Sequence, residues 1–438
     1  MGEMVPSSGV ADMGGCPFNP DGKRSLADLN FTDPAIQARP AGFYRLLREG
    51  APVHYDESLG MYLVSRYQDV DIVLRDAVTF SQERGYYKQW AYGYLDELKD
   101  ILVRNAGGFI PDVVNIDPPR HRRARRLTEQ AFTRRRIKLL EPGFEALVGQ
   151  MIDKLADRGE ADGLKDLALP MSISFIIEKL KVPDLDFETI RRWANAYNAQ
   201  YSLMQTRVQF LANATQICEL QNYVIALVRK RQAERDEDML SDVIDARIDD
   251  ANPALSFEEL VAMGRAMLIG AHDSISTALT NLLFKVATDP EIAARFYESA
   301  DNDARMGRFV EELLRLEPPV RALSRITTKE VELGGQRLPE GAHLLVLYAS
   351  ANDDENVFSC PRNFDMDRPN LARHLSFGAG AHLCLGITLA RMELRIAGMQ
   401  IAKRLKDIRL AIPVEEIRYV PTVATLTMER LPLIFSRR

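Results

Sequence analysis

No run of 18 or more apolar residues occurs in the 438-residue sequence, so a membrane-spanning helix is not expected. Cysteine is scarce. Cys16, Cys218, Cys360 and Cys384 are scattered, with neither zinc-type pairs nor a disulfide framework. That usage fits a reducing compartment. The N-terminus lacks a basic start followed by an apolar stretch, so it does not read as a secretion signal. Together these absences predict a soluble cytoplasmic protein with no membrane partner. Neither sign of charge dominates: 56 Lys and Arg against 62 Asp and Glu leave a net charge of −6, and nothing global points to nucleic acid. Gly (26) and Pro (22) are near average use, which excludes collagen-like and low-complexity classes. What remains, 46% hydrophobic and 27% charged, is ordinary globular composition.

Residues 1–40, rich in Gly, Pro, Ser and Asp, read as a partly loose N-terminal arm. Residues 41–48 look like a short helix. The β-type runs 52–55 and 60–65 flank Glu57-Ser58-Leu59-Gly60, a hairpin signature. Residues 69–74 return to helix, and helical periodicity dominates from 120 to 316. Strand signals reappear at 344–347, 426–428 and 433–435. The expected class is mainly α with a minor β region (α+β). Strands from the two ends must meet, which argues for one large domain over residues 41–438 rather than a string of modules.

One helix stands out. Ser256-Phe257-Glu258-Glu259 is a capping box, and Asp289-Pro290 is a stop. The roughly 30 residues between them would span about 45 Å. The middle is small and apolar (Ala266 to Ala271), then abruptly polar at His272, Asp273 and Ser274. So apolar a helix is expected to run buried through the core. A polar break at its centre needs partners there.

The most informative segment holds Phe377, Gly378, Gly380, His382, Cys384 and Gly386, followed by an amphipathic helix. Three glycines allow a tight loop. Cys384 falls where the loop turns into the helix, where free N–H groups and the dipole favour a thiolate. Gly386 leaves room beside the sulfur. Such a thiolate is a soft anionic metal ligand. A lone buried cysteine would be bland, but this pattern resembles the haem-binding signature of the cytochromes P450, the haem-thiolate monooxygenases. The resemblance implies haem b (iron protoporphyrin IX) with Cys384 as axial ligand. No Cys-x-x-Cys-His is present, so the haem is expected to be non-covalent.

Other segments agree. Glu312 and Arg315, at i and i+3 on one helix face, look like the family's Glu-x-x-Arg motif. Arg368 matches the arginine that completes its structural ion network. His121 and Arg125 resemble residues that bind haem propionates, as do Arg325 and His382; two carboxylates call for cationic, forked donors. Gly270-Ala271-His272-Asp273-Ser274 is similar to the family's Ala-Gly-x-(Asp/Glu)-Thr, which crosses the distal haem face. The resemblance implies that Ala271 lies against the haem and that Asp273 and Ser274 pass protons to bound oxygen. Two departures stand: the small pair reads Gly-Ala, and serine replaces threonine, losing the β-branch that stiffens χ1. Thr277, one turn on, is a poorer candidate.

The implied reaction inserts one oxygen atom from O2 into an organic substrate. The chain has no Gly-x-Gly-x-x-Gly fingerprint and no flavin or ferredoxin module, so a separate redox protein is implied. Residues 120–138 carry eight arginines and one lysine against one glutamate. The expected use of Arg122, Arg123, Arg126 and Arg134, Arg135, Arg136 is to dock an acidic ferredoxin-type donor by electrostatic steering. For the substrate, an apolar small molecule is expected. Tyr86, Tyr87, Trp90, Tyr92, Tyr94 and Phe109 fall where the family has a substrate-covering loop; they form either a pocket or local core. By analogy Met267, Ala271, Val320, Leu323, Ala424 and Thr425 line the same pocket. A hydrogen-peroxide-driven peroxygenase would have arginine near Asp273 and Ser274, and a haem-based gas sensor would show no turnover.

Overall fold

Strand Met61–Val64 runs parallel to His343–Leu347, pairing Tyr62 with Leu344 across most of the chain's length. The strand expected at 344–347 therefore joins the N-terminal hairpin in one sheet, whereas the C-terminal strand Pro432–Arg437 pairs in a separate sheet with Glu160–Asp162 and Leu405–Leu410. The order of the first sheet is Val53–Asp56, Met61–Val64, His343–Leu347, Ala322–Thr327, Phe80–Ser81. The computed structural model describes residues 26, 30–91, 93–200, 205–248, 254–420 and 422–438. Most of the expected N-terminal arm (1–25 and 27–29) and Tyr92 lie outside the described residues.

The hairpin forms as its turn residues predict, with Asp56 opposite Met61 and Gly60 at φ 64°. Three elements depart from the expectation. Ala322–Thr327 is a strand buried on both faces, so it lacks the alternation that marks a half-exposed strand. Glu160–Asp162 is short and polar, and is a strand because Pro432–Arg437 pairs with it. Residues 426–428, expected as a strand, make only the isolated bridge Tyr419–Met428.

The long helix is Phe257–Thr288, with the capping box formed at Ser256 and Glu259. Its two halves bury in different cores. Leu260 to Ile269 join a cluster with helices Phe187–Ala199 and Arg207–Ala233. Ile275 to Val286 join another with helices Arg134–Ala156 and Ile387–Arg404. The polar centre, residues 270–274, falls at the junction. Among the described residues no helix is long and apolar enough to cross a membrane.

Candidate active site

The loop that carries Cys384 is fixed on both sides by its own backbone. The Cys384 N–H donates to Phe377 O at 3.0 Å, and the Gly378 N–H to Leu375 O at 2.9 Å. Gly378 and Gly380 have φ of 70° and 69°, the left-handed region that glycine enters freely. At Gly380 any Cβ would also strike the Leu74 carbonyl of helix Tyr67–Arg75, so the loop is pressed against that helix. Helix Ile387–Arg404 begins just after the sulfur. Burial raises the Cys384 thiol, while the Gly386 N–H, Arg125 and Arg391 pull it back down.

Behind the loop, Glu312 and Arg315 are completely buried on helix Asp303–Leu316. Arg315 donates to both Glu312 oxygens at 2.8 and 2.9 Å, and Arg368 Nε donates to Oε1 at 2.9 Å. Arg315 also donates to Asn352 O at 2.8 Å. The Asn352 amide in turn accepts from the Leu375 N–H at 2.7 Å and donates to Ser376 Oγ at 2.9 Å. The expected ion network thus forms and reaches the residues immediately before Phe377. Beside it, Arg391 grips Glu311 through two bonds of 2.7 Å, with His374 Nε2 at 3.1 Å. Burial would raise Glu311, but His374 and Arg391 outweigh it and hold the carboxyl at about 2. The same Arg391 lies over the Phe377 ring, 5.2 Å from its centroid.

The His121 and His382 rings lie against each other, tilted by 40°, with centroids 4.1 Å apart. Burial lowers both, His121 to about 4 with help from Arg125, and His382 to about 3 with help from His121 and Arg325. The expected His121, Arg125, Arg325 and His382 therefore converge. Arg125 donates to Leu383 O at 2.5 Å, next to Cys384, and to Glu129 at 2.5 Å. Arg325 is buried and donates to Ser324 O at 2.7 Å. His382 Nε2 is buried without a hydrogen-bond partner.

Across from the loop, Ser274 Oγ donates to Gly270 O at 3.4 Å. The Asn198 amide donates to Asp273 Oδ2, and His272 Nε2 lies 3.1 Å from Oδ1. Asp273 keeps 42% of its side-chain surface accessible, although burial raises its carboxyl. An accessible side chain this deep faces an internal space. A Cβ on Gly270 would meet nothing within 4 Å, and the same holds at Gly386 beside the sulfur. Thr277 is tied instead to Thr427 at 3.2 Å. Leu385, next to Cys384, packs against the cluster that holds Leu268 and Ile269.

The family model described as Cytochrome P450 matches residues 61–406. The chain belongs to the cytochrome P450 family. It is 32% identical over 355 residues to the cyclomarin C epoxidase CymV of Salinispora arenicola, covering 81% of this chain and 85% of that one. It is 30% identical over 420 residues to a steroid C26-monooxygenase of Mycobacterium tuberculosis, covering 94% and 96%. The solved structure of cytochrome P450 CYP109Q5 from Chondromyces apiculatus superposes with a TM-score of 0.81 at 29% identity, covering 94% of this chain and all of that one.

A P450 is an oxidoreductase of the monooxygenase type, with non-covalent protohaem and a cysteine axial ligand. The residues present fit that group. Open space adjoins Gly270 and Gly386, an unpartnered imidazole nitrogen waits on His382, and arginines with imidazoles gather beside one thiol.

In this P450 the candidate substrate residues fall into two groups. Val320 bridges Thr425, and the Arg321 and Ala322 N–H groups donate to Ala424 O at 2.7 and 3.4 Å. Leu323 follows on the adjoining strand; Met267 is buried in the long helix, whose backbone also carries Ala271. The aromatic group is packed differently. Residues 80–117 include helices Gln82–Gln89 and Leu95–Asn105. Tyr86 and Trp90 are buried in the core and stacked 5.8 Å apart. The Tyr86 hydroxyl lies 2.8 Å from that of Tyr197, which donates to Asp112 at 3.0 Å. Tyr87 is half-buried and meets Phe109 edge-on at 5.6 Å. Sequence reasoning missed Asp112, Tyr197 and Arg265. Arg265, buried, donates to Gln221 at 2.9 Å and to Ile110 O at 3.0 Å. Its signal was available: a single arginine inside the apolar run 260–269.

Proposed function

We propose that this chain inserts one oxygen atom from O2 into an apolar small-molecule substrate, by hydroxylation or epoxidation, with electrons from a separate ferredoxin-type donor. The observation that carries it is the Cys384 thiol, held by the Gly386 N–H in a backbone-locked loop with the ion network behind it. Cys384 would hold the iron. His121, Arg125, Arg325 and His382 would bind the two propionates, and Phe377, Gly378 and Gly386 would leave room for the macrocycle beside the thiol. Bound protohaem under a thiolate supplies oxygen activation. The chain's own part is to exclude water and to hold and move protons at Asp273 Oδ1 and Ser274 Oγ. The group of Val320, Leu323, Ala424, Thr425, Met267 and Ala271, with half-buried Tyr87, would line the substrate space, and Tyr86 and Trp90, buried in the core, would back it. Likeness to a steroid C26-monooxygenase supports an apolar, polycyclic small molecule as the guest.

The donor would dock beside helix Arg120–Thr128, which touches the thiol loop through Arg125. Arg123 and Arg136 are tied to Glu259 and Asp242. Arg122, Arg126, Arg134 and Arg135 are exposed and form no ion pair with a described carboxylate, so they are free to meet an acidic surface. Unpaired Cys218, Cys360 and Cys384 suit a reducing cytoplasm.

The test is the absorption spectrum of the reduced, CO-bound protein. The wild type is expected to show the strongly red-shifted Soret band of thiolate ligation, and Cys384→Ala to lose it with all turnover. A Cys384→Ala protein that keeps both would overturn the proposal.

A further inference from the structure

We infer that His272 and Asp273 together hold one exchangeable proton at the inner face of the long helix, His272 being the positioning residue that keeps Asp273 supplied. This rests on the role given above to Asp273 and extends it to its neighbour. His272 is completely buried. Its Nδ1 lies 3.3 Å from Ile269 O. A carbonyl only accepts, so Nδ1 carries the ring hydrogen. In the neutral ring Nε2 is then a bare lone pair. That atom sits 3.1 Å from Asp273 Oδ1, close enough for a proton to pass after a small turn of either side chain, and it makes no aligned hydrogen bond to this or any other described atom. A bare imidazole nitrogen this close to a carboxylate oxygen, away from water, is repulsive. A proton between the two removes the repulsion, whether it is written as imidazolium with carboxylate or as imidazole with carboxylic acid.

Adjacent residues on a helix normally point apart, so the helix does not impose this approach. Asp273 is steered from outside: the uncharged Asn198 of helix Phe187–Ala199 donates to Oδ2 and turns Oδ1 toward the imidazole. His272 is the titratable group that acts on Asp273; burial raises the carboxyl and His272 lowers it.

The store has one door. His272 has no accessible surface and Asp273 does, so the proton enters and leaves through the carboxyl. When Asp273 releases a proton into the internal space, the pair is left as neutral imidazole and carboxylate. Solvent water returns one proton, and no electrons move. Of the two protons that a monooxygenase turnover consumes, one is thus in place before oxygen arrives, and the other comes from solvent.

The experiment is an infrared titration of the CO adduct of the reduced holoenzyme, whose C–O stretch responds to charge on this face. Wild type, His272→Gln and Asp273→Asn are compared, each checked for its red-shifted Soret band. The wild-type stretch is expected to shift once as the pair loses its proton; Asp273→Asn should lose that shift, and His272→Gln should move it to higher pH, because His272 lowers the carboxyl. In turnover, His272→Gln should lower kcat by about tenfold at unchanged KM, against roughly a hundredfold for Asp273→Asn. If His272→Gln titrates like the wild type, the shared store is wrong and Asp273 acts alone. If Asp273→Asn also titrates like the wild type, the proton lies elsewhere and the role of Asp273 fails with it. A wild-type stretch that is flat with pH overturns the store without any variant.

Discussion

On the thiol side of the site, Glu312 receives four donors, from Arg315 twice, Arg368 and the Asp365 N–H. Around the polar centre of the long helix, Ser274 has one long bond to a carbonyl and His272 Nε2 has no aligned partner. The contrast follows from what each side must do. One sulfur has to stay at one place, and a network with every lone pair matched over-determines that place. In the proposed function the groups on the other side would handle protons and meet a changing guest, which calls for spare donors and acceptors, in keeping with the under-satisfied polar atoms there. Rigidity belongs to the chemistry common to the family, and adjustability to the substrate.

The sharpest way to break this comparison is Glu312→Ala. It strands the buried guanidinium of Arg368 without a counter-charge and leaves that of Arg315 with only the more distant Asp353, 3.9 Å away. Losing one partner of such a network costs about 3–5 kcal/mol, read as a lower urea midpoint. Because the network reaches Leu375 and Ser376 through Asn352, the red-shifted Soret band should weaken as well. A variant as stable as the parent, with an unchanged band, would mean that the thiol side is no more determined than the other.

The same contrast explains what the sequence discloses. The Cys384 loop and the capping box at Ser256 are local: each is a run of neighbours whose geometry follows from glycine freedom or from capping. The Glu312–Arg315 pair is half-local, since its spacing is visible while its burial is not. The remainder is long-range. Strand Ala322–Thr327 is defined by partners on both sides, and Glu160–Asp162 by the far end of the chain. Asp112, Tyr197 and Arg265 come together from three separate segments, so no spacing joins them. Tyr86 and Trp90 show the ambiguity directly: aromatics beside a pocket and aromatics in a core have the same composition, and only packing separates them.

A second, smaller effect separates the outside of the thiol side from its interior. Reversing Arg134 and Arg135 to glutamate touches exposed residues only, so stability should move by less than about 0.5 kcal/mol. Reduction by an acidic ferredoxin should slow about tenfold at low ionic strength and lose most of its salt dependence, because steering is lost. Substrate affinity should stay the same. Stopped-flow reduction at several salt concentrations decides it: equal rates and equal salt slopes would remove this face as the docking site.

The smallest effect is expected at Ser274, and it examines whether the loose side is loose for a reason. Its hydroxyl leans on Gly270 O at 3.4 Å, a weak hold that an unbranched side chain can leave by rotating about χ1. Ser274→Ala removes the hydroxyl but leaves Asp273 with its Asn198 and His272 contacts. Product formed per electron pair should fall by about three- to tenfold, short of the roughly hundredfold expected for losing a direct proton carrier. Ser274→Thr restores the branch and should raise coupling by less than about twofold, by narrowing the hydroxyl to fewer rotamers. Neither change touches the thiol loop, so both proteins should keep the parent's Soret band and urea midpoint. Equal rate and equal coupling in the alanine variant would show that the hydroxyl takes no part. A threonine variant that couples worse than serine would show instead that this site needs the freedom of the unbranched side chain.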